Sequence, residues 1–201
     1  MKSLKYLLLI SCIMLVCSPA SAVQEGPEFY FDLGNSHYND ENYEKAIESY
    51  SKAIDNAPGF VQAYYNRGLS YYKIGKYDLA ISDYSMAISN GYSKPDIFSS
   101  RGVAYLKTGQ YSYAVDDYTK VIAANPRFAD AYHNRGIAYA NTGKYDEAIE
   151  DYNKVLELRP LDVNAYASRG VAYVRKAMVD LKKACDMGNQ SACENLKQIS
   201  K

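Results

Sequence analysis

The sequence has no surplus of charge and few residues of the kinds that bind metals or act as nucleophiles. Lysine and arginine number 23 together, as do aspartate and glutamate, and the two signs are interleaved. A nucleic-acid-binding surface needs a basic excess, so we expect no nucleic-acid partner. The sequence has no glycine-rich phosphate loop, metal motif or haem attachment site. His37 and His133 lack the cysteine or serine context of a nucleophilic site. We therefore predict no enzyme activity, no cofactor, no metal and no small-molecule substrate.

Long apolar runs are also missing, and the longest one lies near the start of the chain. Leu7 to Val16 are apolar, whereas a membrane-spanning helix needs about 20 such residues. Lys2 and Lys5 precede this run, and Ala20-Ser21-Ala22 follows it. A charged region, a short hydrophobic region and an A-x-A site form a secretory signal peptide. We predict a signal peptide over residues 1–22 and an exported protein, periplasmic or secreted.

Cys17 leaves a second interpretation of this segment open. A cysteine just after such an apolar run is the lipidated residue in bacterial lipoproteins. Val16 stands where lipid-attachment motifs place a small residue, whereas Ala20 and Ala22 suit the ordinary signal peptidase. We prefer the cleaved peptide and expect membrane contact only if Cys17 is lipidated.

The rest of the chain is organised by a 34-residue repeat. Three kinds of residue recur at this period: a glycine, an alanine 12 residues later and a tyrosine 16 residues later. Repeats of this length indicate a solenoid, in which each unit buries its apolar face by stacking on its neighbours. The glycines are Gly34, Gly68, Gly102, Gly136 and Gly170, the alanines Ala46, Ala80, Ala114 and Ala148, and the tyrosines Tyr50, Tyr84, Tyr118 and Tyr152.

Each unit reads as two amphipathic helices joined by a short turn. Gly75, Gly109 and Gly143 mark turns, and Pro58 and Pro126 stop second helices before the next unit. A glycine inside a helix costs roughly 1 kcal/mol against alanine, a cost accepted where a second helix approaches closely.

This constellation resembles the tetratricopeptide repeat family over residues 27 to about 174. The resemblance implies an all-α, right-handed superhelical solenoid of antiparallel helix pairs. We predict a short segment at 23–26, repeats at 27–60, 61–94, 95–128 and 129–162, and a partial fifth repeat with a capping helix at 163–201. Whether the fifth unit is a helix pair or one longer helix stays open at this stage.

Four units depart from the family by carrying an arginine just before the first-helix glycine. The same units carry an aspartate just before the second-helix tyrosine position, whereas the first unit has Leu33 and Ser49. We predict a partly buried Arg–Asp pair in each of these units. The alternative is a ladder of arginines that grips an anionic ligand. The arginines are Arg67, Arg101, Arg135 and Arg169, and the aspartates are Asp83, Asp117, Asp151 and Asp180.

The family resemblance also implies where a ligand binds, because first helices line the concave groove of such arrays. An aromatic patch with polar neighbours is predicted in the first two units, a composition typical of binding hot spots. We expect an extended peptide or helix of another protein to dock there. The alternative is that these aromatic residues only pack along the inner wall, or under residues 23–28. The groove residues are Phe31, Asn35, Tyr38, Asn39, Tyr65, Leu69, Tyr72, Lys73, Leu106, Lys107 and His133.

The end of the chain carries a different signature. Cys185 and Cys193 are separated by seven residues with a Gly-Asn turn between them. This segment resembles the Sel1-like repeats of exported bacterial proteins, a resemblance that implies a Cys185–Cys193 disulfide joining consecutive helices. Taken together, we expect an exported scaffold that assembles or chaperones an envelope or secreted component. The alternatives are a lipid-anchored part of an outer-membrane or secretion complex, and a secreted Sel1-like effector.

Overall fold

The computed structural model describes residues 25–199, which form ten α-helices and no strand. Consecutive helices pack in antiparallel pairs, and each pair packs on the next along the chain. The all-α solenoid predicted from the repeats is confirmed. The helices are α1 (Pro27–Asn39), α2 (Tyr43–Asn56), α3 (Val61–Lys73), α4 (Tyr77–Ser89), α5 (Pro95–Lys107), α6 (Tyr111–Ala124), α7 (Ala129–Asn141), α8 (Tyr145–Leu158), α9 (Val163–Asp186) and α10 (Gln190–Ile199).

The turns inside the repeats depend on a left-handed backbone conformation. Gly75, Gly109 and Gly143 have φ of 76°, 73° and 79°, values that glycine adopts without a steric cost. The first unit places Glu41 at φ 58° in the corresponding turn, the one non-glycine residue with positive φ in residues 25–199. The turn geometry is therefore kept even where its preferred residue is absent.

The periodic glycines let the two helices of a unit approach closely. A Cβ built on Gly136 would lie 2.7 Å from the Tyr152 ring, and one on Gly34 would lie 2.5 Å from the Tyr50 ring. Because these rings are almost fully buried, they have little room to move. The glycine of the first helix and the tyrosine of the second thus form one packing unit, repeated in the first four pairs.

The predicted Arg–Asp pairs are present in the second, third and fourth units. Each guanidinium binds its aspartate through two hydrogen bonds, as in Arg101 Nε to Asp117 Oδ2 at 2.7 Å and Arg101 Nη2 to Asp117 Oδ1 at 2.8 Å. The same geometry joins Arg67 to Asp83 and Arg135 to Asp151. The aspartates are buried, so these arginines serve packing and not an anionic ligand.

Burial also affects the protonation of the paired aspartates. It raises the pKa of the Asp83 and Asp151 carboxyls, while the arginine hydrogen bonds and charge act in the opposite direction. The bidentate arginine is therefore what offsets the cost of holding these carboxylates away from water.

Each arginine also bonds backward, to the second helix of the preceding unit. Arg101 Nη1 donates to Ser85 Oγ at 2.9 Å, and Arg67 Nη1 donates to Ser51 Oγ at the same distance. Arg135 Nη1 donates to Thr119 Oγ1 at 3.1 Å. One guanidinium thus joins two helices of its own unit and the helix before them.

The fifth unit differs from the pattern that the sequence suggested. Val163–Asp186 form one 24-residue helix, so no second helix faces its first half. The predicted Arg169–Asp180 pair is wrong because both residues lie on α9, 11 positions apart. Arg169 Nη1 instead donates to Asn153 Oδ1 at 2.6 Å, which preserves only the backward bond.

The disulfide predicted at the end of the chain is present in the structure. Cys185 near the end of α9 and Cys193 in α10 are bonded, with a Cα–Cα distance of 4.8 Å. Gly188, at φ 93°, makes the sharp turn between the two helices. The bond therefore fixes α10 against the helix that ends the array. Its likeness to Sel1-like repeats stays a prediction.

Two further points concern the membrane. In residues 25–199 no helix combines the length and hydropathy that a bilayer span requires. The predicted signal peptide at 1–22 and Cys17 lie outside the described residues.

Candidate binding groove

The groove follows the first helices of successive units, since α1, α3, α5, α7 and α9 each contact the next in this series. Three neighbouring cavities open along it between the first unit and the loop after α6. The cavities share lining residues: Leu69 borders the first and second, and Ser99 and Ser100 border the second and third. They therefore form one continuous line on the array.

The first cavity, of about 350 Å³, combines predicted groove residues with polar groups from the neighbouring unit. Asn35 Oδ1 accepts from Tyr50 Oη at 2.9 Å and from Asn66 Nδ2 at 2.8 Å. Burial raises the pKa of Tyr50 to about 12, so its hydroxyl stays protonated as a donor at neutral pH. Its lining residues are Asn35, Tyr38, Asn39, Tyr50, Asn66 and Leu69.

The second cavity, of about 340 Å³, is more apolar and carries one cation. Leu69 and Val103 form its aliphatic wall, and Tyr84 closes its floor from the second helix of the unit. Lys73 is exposed and has no carboxylate within ion-pair distance among residues 25–199. The cavity thus offers an apolar pocket beside an available positive charge. It is lined by Leu69, Tyr72, Lys73, Tyr84, Ser99, Ser100 and Val103.

The third cavity, of about 430 Å³, lies between the start of α5 and the end of α6. Pro95 and Asp96 border it on one side, and Val121, Asn125 and Phe128 on the other. None of the predicted groove residues lines it. Its acidic residue, Asp96, places a negative charge at the opposite end of the line from Asn35.

The predicted aromatic patch is divided into separately held rings. Phe31 packs on Phe60 with ring centroids 4.9 Å apart, and Tyr38 meets Tyr43 edge to face at 5.4 Å. Tyr72 lies against Tyr77 at 5.2 Å. Among the described residues, no ring contact joins two of Phe31, Tyr38, Tyr65 and Tyr72.

Tyr65 is the most constrained of these four. Its ring stacks on Tyr92 at 5.0 Å and packs on Tyr84 at 5.9 Å. Its hydroxyl lies 3.5 Å from Ser100 Oγ on the next first helix. Because its ring and hydroxyl are engaged inside the array, we assign it to the groove wall and not to the exposed contact surface.

The structure separates the predicted residues of the later units from the two predicted cavities. His133 Nε2 lies 3.2 Å from Ser168 Oγ, and its ring packs on Tyr152. Leu106 is partly buried against the core of the third unit, whereas Lys107 is exposed. None of the three lines the cavities that contain Asn35 or Lys73.

Sequence reasoning missed the contribution of the second helices to the groove floor. Tyr50 and Tyr84 were assigned to the core, yet each also borders a cavity. The available signal was their position 16 residues after Gly34 and Gly68, which places them directly under the first helix. In residues 25–199 no cluster of three or more His, Cys, Asp or Glu side chains is arranged to hold a metal ion.

A solenoid of antiparallel helix pairs with an open groove defines the class of helical-repeat interaction scaffolds. Three family models match the chain, all tetratricopeptide repeats: one over residues 31–95, one over 104–143 and one over 129–161. The chain therefore contains tetratricopeptide repeats, as the sequence predicted. A comparison with curated proteins gives no match.

Solved structures resemble the whole array. A crystal structure of MamA protein is 26% identical with a TM-score of 0.73, over 87% of this chain and 90% of that one. YrrB, described as a TPR protein with an unusual peptide-binding site, is 25% identical with a TM-score of 0.72, over 88% and 94%. A tetratricopeptide repeat protein from Parabacteroides merdae is 20% identical with a TM-score of 0.68, over 86% and 72%, and shows the fold alone.

Proposed function

We propose that this protein is a scaffold that binds an extended peptide segment of another protein in its groove. The observation that carries the proposal is the continuous line of cavities from Asn35 to Phe128, with an apolar middle and polar ends. Tetratricopeptide arrays are generally binding scaffolds, and the similarity to YrrB, a protein with a peptide-binding site, supports the same role here.

The polar lining favours an extended segment over a helix. Asn39 and Asn66 present amide groups to the first cavity, and an amide matches the unpaired main-chain N–H and C=O groups of an extended chain. A helix satisfies those groups internally and instead requires a continuous apolar trough. The line of separate cavities therefore fits a segment that places successive side chains in successive pockets.

Lys73 sets the expected chemistry of the segment. It lies beside the wall formed by Leu69 and Val103, so an apolar side chain in the pocket brings a neighbouring acidic group to the lysine. Such a contact at the rim contributes more to specificity and association rate than to affinity. We infer a ligand that pairs an apolar residue with an adjacent aspartate, glutamate or terminal carboxylate.

Export is a further part of the proposal. A Cys185–Cys193 disulfide is suited to an oxidising compartment, and the residues before Val23 have the composition of a signal peptide. We propose a periplasmic or secreted scaffold that assembles or chaperones an envelope or secreted component. N-terminal mass distinguishes cleavage after Ala22 from lipid attachment at Cys17.

The test is selection from a library of random unstructured peptides, followed by affinity measurement with two groove variants. Lys73→Glu reverses the charge at the second cavity without touching the core, so the selected acidic peptides should bind at least about tenfold more weakly. Leu69→Glu should abolish binding because it places a charge in the apolar pocket.

Lys45→Glu is the matched control, because Lys45 is exposed on α2 and lines none of the three cavities. It should leave affinity unchanged, and circular dichroism should show the same helicity for all three variants. Peptides that bind both groove variants as tightly as the parent protein would refute this site. A selection that yields no binding peptide would refute the peptide-scaffold function itself.

A further inference from the structure

The first half of α9 presents a packing surface that has lost its partner. In the first four units the glycine of the first helix lies against a buried tyrosine, but no heavy atom of this kind lies within 4 Å of a Cβ built on Gly170. Tyr166 and Tyr173, which flank this position, are each 52% exposed, and Val174 is 49% exposed. The place that a second helix occupies elsewhere is open here.

Arg169 lacks the charge that its counterparts receive. Arg67, Arg101 and Arg135 each hold a buried aspartate, whereas no carboxylate of residues 25–199 lies within 4.0 Å of Arg169. It bonds Asn153 and lies over the Tyr166 ring. The open surface therefore calls for a helix that carries an acidic residue.

The second half of the same helix has the side-chain pattern of a second helix. Its residues have the spacing found in α4, where an alanine, an aspartate, a large side chain and another alanine face the first helix. The α4 residues are Ala80, Asp83, Tyr84 and Ala87, and the α9 residues are Ala177, Asp180, Leu181 and Ala184. Ala177 and Asp180 are exposed, and Leu181 and Ala184 are partly exposed.

These two halves cannot meet within one chain while α9 is continuous. Arg169 and Asp180 are 11 residues apart on a single helix, which is about 16 Å along its axis. In the complete units the arginine and aspartate are 16 residues apart and are brought together by the turn. Continuity of α9 thus leaves one surface of each kind exposed on one helix.

We propose that two copies of this protein associate through their α9 helices, packed antiparallel about a two-fold axis near Arg175. In the register of the complete units, Arg169 then faces Asp180 of the second copy and Gly170 receives Leu181 of the second copy. Tyr173 covers Ala177 of the second copy, and Tyr166 covers Ala184 of the second copy. Because the axis is two-fold, every contact forms twice and each copy supplies both surfaces.

The apolar spacing along α9 supports this pairing. The residues that face the second copy recur every three or four positions, as packing between two helices requires. They form a stripe along most of the helix: Val163, Tyr166, Gly170, Tyr173, Ala177 and Leu181. Two reciprocal Arg–Asp contacts fix the register of an otherwise apolar interface.

Sedimentation equilibrium over a range of concentrations tests the association, using the protein with its disulfide intact. The mass should rise from one chain toward two as the concentration increases. Arg169→Asp alone and Asp180→Arg alone each place like charges opposite each other, so each should weaken association at least about tenfold. Mixing these two variants should restore it, because both contacts then pair opposite charges.

The mixture also excludes a folded-back α9 in a single chain. That arrangement predicts that mixing the single variants restores nothing, whereas the double variant R169D/D180R regains stability as a single chain. A parent protein that stays monomeric at every concentration would overturn the proposal, as would single variants that still associate. Circular dichroism of each variant should show unchanged helicity, so loss of association cannot be ascribed to unfolding.

Discussion

The third and fifth units begin with the same Arg-Gly pair and reach different structures. In the third unit a turn at Gly109 reverses the chain, and Asp117 and Tyr118 return to cover Arg101 and Gly102. In the fifth unit the residues that would form this turn are missing, and α9 runs on. The side chains of a helix pair are present in both, but only the third unit has a turn that brings them together.

This comparison shows that the turn determines whether the helix-pair residues are used inside the unit. The residues that pack on one another are prescribed by the 34-residue period, whereas their meeting depends on a turn of the correct length. The fifth unit retains only the backward bond, from Arg169 to Asn153. It therefore ends the array without closing a unit of its own.

The largest difference between these units is expected on removal of the aspartate. Asp117→Ala leaves the half-buried Arg101 guanidinium without its bidentate partner, and should lower the free energy of unfolding by about 3–5 kcal/mol. Asp180→Ala, measured at concentrations where the chain is monomeric, should change it by less than about 0.5 kcal/mol. Urea unfolding followed by circular dichroism measures both, and equal effects would contradict the comparison.

The disulfide at the end of the fifth unit is expected to have a smaller and local effect. A closed loop of this length contributes roughly 2–3 kcal/mol by chain entropy. Reduction of Cys185–Cys193 should speed hydrogen exchange in α10 and leave α1 to α8 unchanged, because α10 packs on α9 alone. Exchange that accelerates throughout the array would show that the cap supports every unit.

The smallest effect is a change of sign between two glycines. Gly136→Ala forces a methyl group to within 2.7 Å of the buried Tyr152 ring, so it should cost about 1–2 kcal/mol of stability. Gly170→Ala meets no such atom in the single chain and should gain up to about 1 kcal/mol from helix propensity. Thermal unfolding at low protein concentration compares them, and a loss of stability in both would contradict the open surface at Gly170.

Much of the fold could be predicted because the repeat writes the same packing rule several times. The glycine and tyrosine positions, the turn glycines and three Arg–Asp pairs follow from recurring chemistry. The fourth pair failed because a periodic pattern does not reveal a shortened turn: Asp180 retains its sequence context but lies on the same helix as Arg169. The backward bonds to Ser51, Ser85 and Thr119 were overlooked, although these residues also recur every 34 positions.

The groove was less accessible to sequence reasoning. The family resemblance gives the helix face that lines the groove, but not how neighbouring units use the polar groups on it. Asn35, Tyr65 and His133 are each engaged by a residue 31 or 35 positions away. Such contacts depend on the stacking angle between units, which a period of identical length does not determine. Leu69 and Lys73, which lack such contacts, keep the role of binding residues as a prediction.

The two-way bonding of each arginine gives the array a direction. Arg101 depends on Ser85 in the unit before it, whereas Ser85 also donates its own proton to Ile81 O inside its helix. Removing units from the C-terminal side takes each arginine away together with its bonds, and the hydroxyl left behind remains satisfied. Removing units from the N-terminal side strips an arginine N–H of its acceptor. The array is thus built to be lengthened or shortened at its C-terminal end, one 34-residue unit at a time, with the first unit as its fixed origin.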